Sequence, residues 1–252
     1  MNSKTPFKWR HYQSDIILWC VRWYLSYPLS YRQVVEMVNE RGLDIHHTTV
    51  FGWVQEYSPE IDKRFRSHLR PSNDSMRVDE TYILVKGKQK YLWGHGWRGC
   101  LATVSCPYRA VDWQGHTLDF LRTAKRDAAA AKRFWRRTLK AIDTSQPRVI
   151  TVDKNPADPK AIEELIAAKK LSEIVKLKQI KYLNNIVEQD HRSIKRLVKP
   201  GMGFGWFNTA RRTISGYEIM NMMRKGQVLG VPKGAVKERV LFLNQIFAKN
   251  TR

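Results

Sequence analysis

Acidic residues are scarce in this chain. Asp and Glu number 23 against 45 Lys and Arg, leaving a formal net charge of +22 over 252 residues. Self-repulsion of that size is costly unless a polyanion relieves it, so nucleic acid is the expected partner. An anionic membrane fits less well, because the cations are spread along the chain and interleaved with Trp, Tyr and Phe. Cysteine is also scarce: Cys20, Cys100 and Cys106 make no disulfide framework, which points to a reducing cytoplasm. Long apolar runs are missing. Asp15 and Arg22 interrupt the greasiest early segment, 16–25, and nothing reaches the roughly 20 residues of a membrane span. Residues 1–10 are polar and basic, so no secretory leader is expected. What remains is 42% hydrophobic content, enough for one good-sized domain and a small one.

The first 58 residues read as helices. Residues 12–26 carry Ile16, Ile17, Leu18, Val21, Trp23, Tyr24 and Leu25, and Pro28 marks a turn. Ser30 caps a second helix over 31–41, broken by Gly42 and Asp44; a third spans 46–57 and stops near Pro59. Two short helices joined by a glycine-containing turn form a helix-turn-helix pattern. The second would enter the major groove, with His46, His47, Thr48 and Thr49 reaching base edges. Residues 59–75 read as a linker, rich in Arg and then in turn formers.

Beyond residue 75 the pattern becomes mixed. Residues 76–85 and 89–93 read as strands joined at Gly87-Lys88, and 109–112 and 116–121 as a second pair around Gln114-Gly115. A helix over 127–142, a buried strand over 148–152, a helix over 159–169 and a strand over 174–180 follow. A last helix covers 208–226. Hairpin strands followed by alternating helix and strand predict a mixed α/β sheet flanked by helices. The expected division is 1–58 helix-turn-helix, 59–75 linker, 76–227 catalytic domain and 228–252 basic tail, with room for one more helix in 231–252.

The stretch 184–195, NNIVEQDHRSIK, predicts a helix capped at Asn184 or Asn185. Glu188, His191, Arg192 and Lys195 fall at i, i+3, i+4 and i+7, one helix face. Read alone, this is a capping box with charge pairs. Two further acids change the reading. Asp79 lies in the first strand, and Asp153 follows the apolar strand 149–152, at the edge where open α/β sheets bind ligands. Two Asp and one Glu make an all-oxygen set suited to Mg²⁺ or Mn²⁺, chemistry used to activate and stabilise oxygens on phosphorus.

The same residues carry a resemblance. Asp79, Asp153 and Glu188, with 34 residues between the last two and Lys195 seven beyond Glu188, look like the DDE(K) signature of transposases and retroviral integrases. The local text RVDETY at 77–82, YRAVD at 108–112, TLDF at 117–120, DKNP at 153–156 and IKYLNN at 180–185 resembles the bacterial IS-six family of insertion-sequence transposases. That resemblance spans about residues 7–227. It implies an RNase H-like catalytic domain after an all-α helix-turn-helix, Mg²⁺ or Mn²⁺ as cofactor, and a bacterial, nucleoid-associated protein. It further implies binding of terminal inverted repeats and joining of element ends to target DNA by a homodimer, with no membrane or small-molecule substrate. Asp79, Asp153 and Glu188 match the catalytic metal ligands and Lys195 the basic residue after the Glu; Arg192, Lys195 and Arg196 would face DNA phosphate.

The chain departs from the family text in three places. About fourteen residues, 94–107, are inserted ahead of YRAVD. They read as an enlarged hairpin tip; if they shifted Asp79, a DNA-binding protein without catalysis would remain. A metal-dependent nuclease that cuts without strand transfer is a third reading. His95, Cys100 and Cys106 within the insertion make a poor zinc set. Gly52 and Gly205 stand where basic residues are common in the family. Trp19, Trp23, Trp53 and Trp135 read as packing; Trp206, after Gly205, reads as core or as a platform for a displaced base.

Overall fold

The computed structural model describes residues 6–8, 10–71, 73, 75–80, 83–85, 103–123, 128–141, 147–152, 157–180, 185–201 and 203–248. The chain divides into two compact units. The first comprises Met1–Arg70, Arg196–Met202 and Asn208–Arg252; the second comprises Pro71–Lys195 and Gly203–Phe207.

The first unit opens with three helices, α1 (Ser14–Ser26), α2 (Tyr31–Asn39) and α3 (His47–Phe65). A capping box starts α2: the Ser30 hydroxyl accepts from the Gln33 N–H and the Gln33 side chain accepts from the Ser30 N–H. Gly42, at φ 77°, takes the left-handed position that ends α2. The third helix runs seven residues past Ser58, through the segment read as linker. Pro59 removes one helical hydrogen bond. Burial of Tyr57, Ile61 and Phe65 offsets that loss, as do the acid-before-base pairs Glu60–Arg64 at 2.6 Å and Asp62–Arg66 at 2.9 Å.

The second unit is built on strands β1 (Ser75–Glu80), β2 (Ile83–Val85), β3 (Thr103–Asp112), β4 (Thr117–Thr123), β5 (Val149–Val152) and β6 (Lys176–Gln179). Its helices are α4 (Ala128–Ala141), α5 (Ala157–Ala167) and α6 (Asn185–Val198), the last running on into residues grouped with the first unit. β1 and β2 pair with β3 antiparallel at the same offset: Glu80 faces Tyr108 and Ile83 faces Ser105. They therefore act as a single row. β4 lies on the other side of β3, antiparallel, with a bulge between Ala110 and Val111. β1 pairs parallel with β5, and β5 parallel with β6. The sheet is mixed, ordered β4–β3–β1/β2–β5–β6, and is accompanied by helices. Its core joins Met76, Val78, Tyr108, Ile150 and Val152 to Phe134 and Trp135 of α4 and Leu165 of α5.

Two further helices, α7 (Phe207–Arg224) and α8 (Val236–Ala248), lie almost wholly in the first unit. The segment read as a basic tail thus carries α8, with Phe242, Leu243, Ile246 and Phe247 buried. α7 belongs with the amino-terminal helices rather than with the sheet. The reason is packing: Gln55 of α3 donates to Thr213 at 2.8 Å, and Ser215 donates to Asp62 at 2.9 Å.

Part of the insertion is strand. Thr103–Pro107 belongs to β3 and pairs with β2 on one side and β4 on the other. Its remainder, with the strand read over 89–93 and the candidate zinc residues His95 and Cys100, lies outside the described residues, as does the side chain of Cys106.

Candidate active site and DNA interface

Asp79 is the fifth residue of β1 and stands opposite Arg109 in the β1/β3 ladder. Arg109 is buried. The parallel pairing of β1 with β5 joins Ser75–Arg77 to Val149–Thr151 at a constant offset. β5 ends at Val152. Asp153, the next residue, lies outside the described residues, as do the side chains of Asp79 and Glu188. Among the described side chains, no three His, Cys, Asp or Glu converge on a common point.

Glu188 is the fourth residue of α6. On this helix His191, Ile194 and Leu197 are buried, whereas Arg192, Lys195 and Arg196 are exposed. His191 therefore does not share the exposed face with Arg192 and Lys195, as the spacing had suggested. The i+3 position falls on the side that carries the apolar stripe, and His191 is only 4% exposed. The three cations keep their donors in solvent. Arg196 is grouped with the first unit.

In the helix-turn-helix, His46 is the N-cap of α3. Its Nδ1 accepts from the Thr48 N–H at 3.5 Å and lies 2.8 Å from the Thr48 hydroxyl. That nitrogen fixes the start of the helix rather than pointing to a base. The His46 and His47 rings lie 4.2 Å apart. Thr48 is exposed, Thr49 half-buried, and the exposed face continues through Phe51 and Gly52. No Lys or Arg occurs between His46 and Lys63, so this helix brings no cation to its leading turns. Arg32 and Arg41 on and after α2 are exposed, and Arg41 lies over the Trp23 ring.

Two aromatic assignments are corrected. Trp53 and Trp135 are core residues, but Trp206 is 79% exposed and Trp19 is 40% exposed. Helical spacing says which residues share a face, and nothing about whether another element covers it.

The family model described as a DDE domain matches residues 105–227. The transposase for insertion sequence-like element IS431mec of Staphylococcus aureus (strain Mu50) is 36% identical over 220 residues, covering 87% of this chain and 88% of that protein. The transposase of insertion sequence element IS257 in transposon Tn4003, also from Staphylococcus aureus, has the same identity and coverage. Among solved structures, the HTLV-2 integrase catalytic core domain in complex with magnesium has 14% identity and a TM-score of 0.40, over 65% of this chain and 94% of that one. The catalytic core domain of BIV integrase has a TM-score of 0.40 at 14% identity, over 68% of this chain and 96% of that one; both are distant likenesses. Homology to insertion-sequence transposases along nearly the whole chain, with the DDE domain matched over 105–227, identifies the protein as a member of the IS-six family of insertion-sequence DDE transposases.

Proposed function

We propose that this transposase binds the terminal inverted repeats of its element through α2 and α3 and carries out divalent-metal-dependent strand cleavage and transfer at Asp79, Asp153 and Glu188. The observation that supports the site most is the register of the central row. Asp79 keeps its place opposite Arg109 in the β1/β3 ladder, and Thr103–Ser105 of the insertion continue the same register against β2. The constant β1/β5 offset, carried two residues further, would make Asp153 the neighbour of Asp79.

Three carboxylates are hard oxygen donors, the set that suits Mg²⁺ or Mn²⁺ over softer ions. When bound there, such an ion would favour the ionised form of an attacking hydroxyl and offset charge building on the phosphorus oxygens. The chain's own contribution is orientation. β1 holds the first acid on a rigid row, and α6 carries Glu188 two turns ahead of Lys195, whose exposed ammonium would hold a DNA phosphate. Cleavage adds water to a phosphodiester and releases a 3′-hydroxyl. Transfer then forms one P–O bond from that hydroxyl to target phosphorus and breaks another, with no net change in bond number. A homodimer, one subunit per element end, fits a reaction on paired inverted repeats.

Separate Asp79→Asn, Asp153→Asn and Glu188→Gln variants test this reading. Each should bind terminal-repeat duplex within about threefold of wild type and lose strand joining in Mg²⁺ by at least ~10³-fold, the scale of removing one electrostatic stabiliser of the transition state. Joined product surviving in all three would sink the assignment. Cleaved ends without joined product in the wild type would reduce the protein to a nuclease.

A further inference from the structure

Helix α4 has two sharply different sides. Ala131, Phe134, Trp135 and Thr138 are fully buried, at i, i+3, i+4 and i+7. The other side exposes Arg133, Arg136, Arg137 and Lys140. Some of the helix's cations have partners. Lys132 pairs with Glu164 of α5, and Arg137 pairs with the fully buried Asp119 of β4 at 3.0 Å. Among the described residues no ion pair holds Arg133, Arg136 or Lys140; the Glu164 carboxyl is kept below its usual range chiefly by its hydrogen bond with Lys132, with the charge of Arg136 a minor contributor. These three cations span eight residues, about 10 Å of helix axis. The helix dipole favours Lys140 in the last turn, but not Arg133 in the first half.

The chemistry of this face is one-sided. Arg and Lys only donate, and no Asn, Gln, Asp or Glu stands among the exposed positions of α4 to read a base edge. The start of α3, by contrast, offers Thr hydroxyls that both donate and accept. A donor-only cationic stripe suits phosphates and ignores sequence.

We propose that the exposed face of α4, through Arg133, Arg136 and Lys140, is a docking surface for the backbone of target DNA, bound without regard to sequence. The proposal rests on the strand-transfer reading, which requires a second duplex besides the element end.

The test uses the full chain, wild type and two triple variants, R133Q/R136Q/K140Q and K170Q/K176Q/K178Q. The second set removes the same charge from exposed cations elsewhere in the same unit. Gln keeps helix propensity, and circular dichroism confirms folding. Affinity for a random-sequence duplex is measured by fluorescence anisotropy from about 50 to 200 mM salt, and compared with a duplex carrying the terminal inverted repeat. If the three cations meet three phosphates, the α4 variant should lose about 2.7 from the salt slope on random duplex and bind it at least tenfold more weakly at low salt. The control should lose less than a third as much slope, and terminal-repeat binding should stay within about threefold in both. An unchanged slope in the α4 variant overturns the proposal. So does an equal loss in the control, which would make the effect one of bulk charge, or an equal loss on the terminal repeat, which would give this face to the element end. A wild type that binds neither duplex overturns it together with the transposase mechanism; a wild type that binds and joins both, with an unaffected α4 variant, overturns this inference alone.

Discussion

Lys169 adopts φ 53°, the left-handed conformation that costs a residue with a Cβ about 1 kcal/mol or more. It does so because α5 ends in the same double hydrogen bond as two other helices. The Lys169 N–H donates to Ile166 at 2.8 Å, and that of Lys170 to Leu165 at 2.9 Å. At the ends of α2 and α7 the equivalent position is Gly42 or Gly226. Lys169→Gly should therefore stabilise the second unit by about 0.5–1 kcal/mol, read as a raised denaturation midpoint. Two helical glycines predict opposite outcomes for the same substitution. A Cβ on Gly52 would meet nothing within 4 Å, so Gly52→Ala should stabilise α3 by about 1 kcal/mol. A Cβ on Gly216 of α7 would stand 2.6 Å from a methyl of the fully buried Leu25 and 2.8 Å from the Ser58 hydroxyl. There the propensity gain is outweighed by overpacking, and Gly216→Ala should cost about 1–2 kcal/mol net. Chemical denaturation of the two variants side by side decides this; equal shifts would contradict the packing described around Gly216.

At the scale of elements, α3 shows both what the sequence reveals and what it hides. Its start near 46 was readable because Gly42 and Asp44 break the preceding helix just ahead of an apolar stripe. Its end was not: Pro59 is a strong local stop signal, and the burial that overrides it comes from helices far along the chain. β3 was hidden for the same reason. Thr103–Pro107 becomes strand through pairing with β2 and β4, which no local pattern encodes. The acids of the motif were legible as residues, since their spacing and neighbouring text are linear features, whereas the place of Asp79 opposite Arg109 is set by sheet register, which no local pattern encodes. The missing cations of α3 lead to a prediction. Gly52→Arg has room, lies on the exposed face, and should steepen the salt slope for terminal-repeat binding by about one unit. A flat response would mean that this face does not meet DNA. The helices around α3 also predict an alkaline weakness. Burial pushes the Cys20 thiol up to about 11 and raises Tyr24, Tyr31 and Tyr217 as well. All four groups are neutral when protonated. Their folded forms hold the proton more tightly than the unfolded chain, so this stability is complete below about pH 9 and drains away as pH rises through 11. The melting temperature of the first unit should fall over that window, with a smaller fall in Cys20→Ala.

For the whole molecule, the first unit is discontinuous. The helix-turn-helix is completed only when the chain returns in α7 and α8 after building the sheet. The joints are specific. Phe65 meets Phe242 with ring centres 6.2 Å apart, Arg64 donates to the Ile246 carbonyl at 2.9 Å, and the Arg70 N–H donates to the Gln227 carbonyl at 2.9 Å. Tyr57 meets Phe247 at 6.2 Å between centres, and that ring also lies under Arg64. Each buried aromatic or aliphatic side chain of α7 and α8 contributes about 1.5–3 kcal/mol. A domain holds only about 5–15 kcal/mol in total. Ending the chain at Phe207 should therefore unfold the amino-terminal helices and abolish terminal-repeat binding, although no residue of α2 or α3 is altered. A milder change separates this from a direct DNA contact. Phe242→Ala empties a largely buried site against Phe65 and should cost about 3 kcal/mol. Its repeat affinity should match wild type at low temperature and collapse at a lower temperature than wild type, in step with the loss of helical dichroism. Weaker affinity at low temperature, where the variant is still folded, would instead make α8 part of the DNA-binding surface.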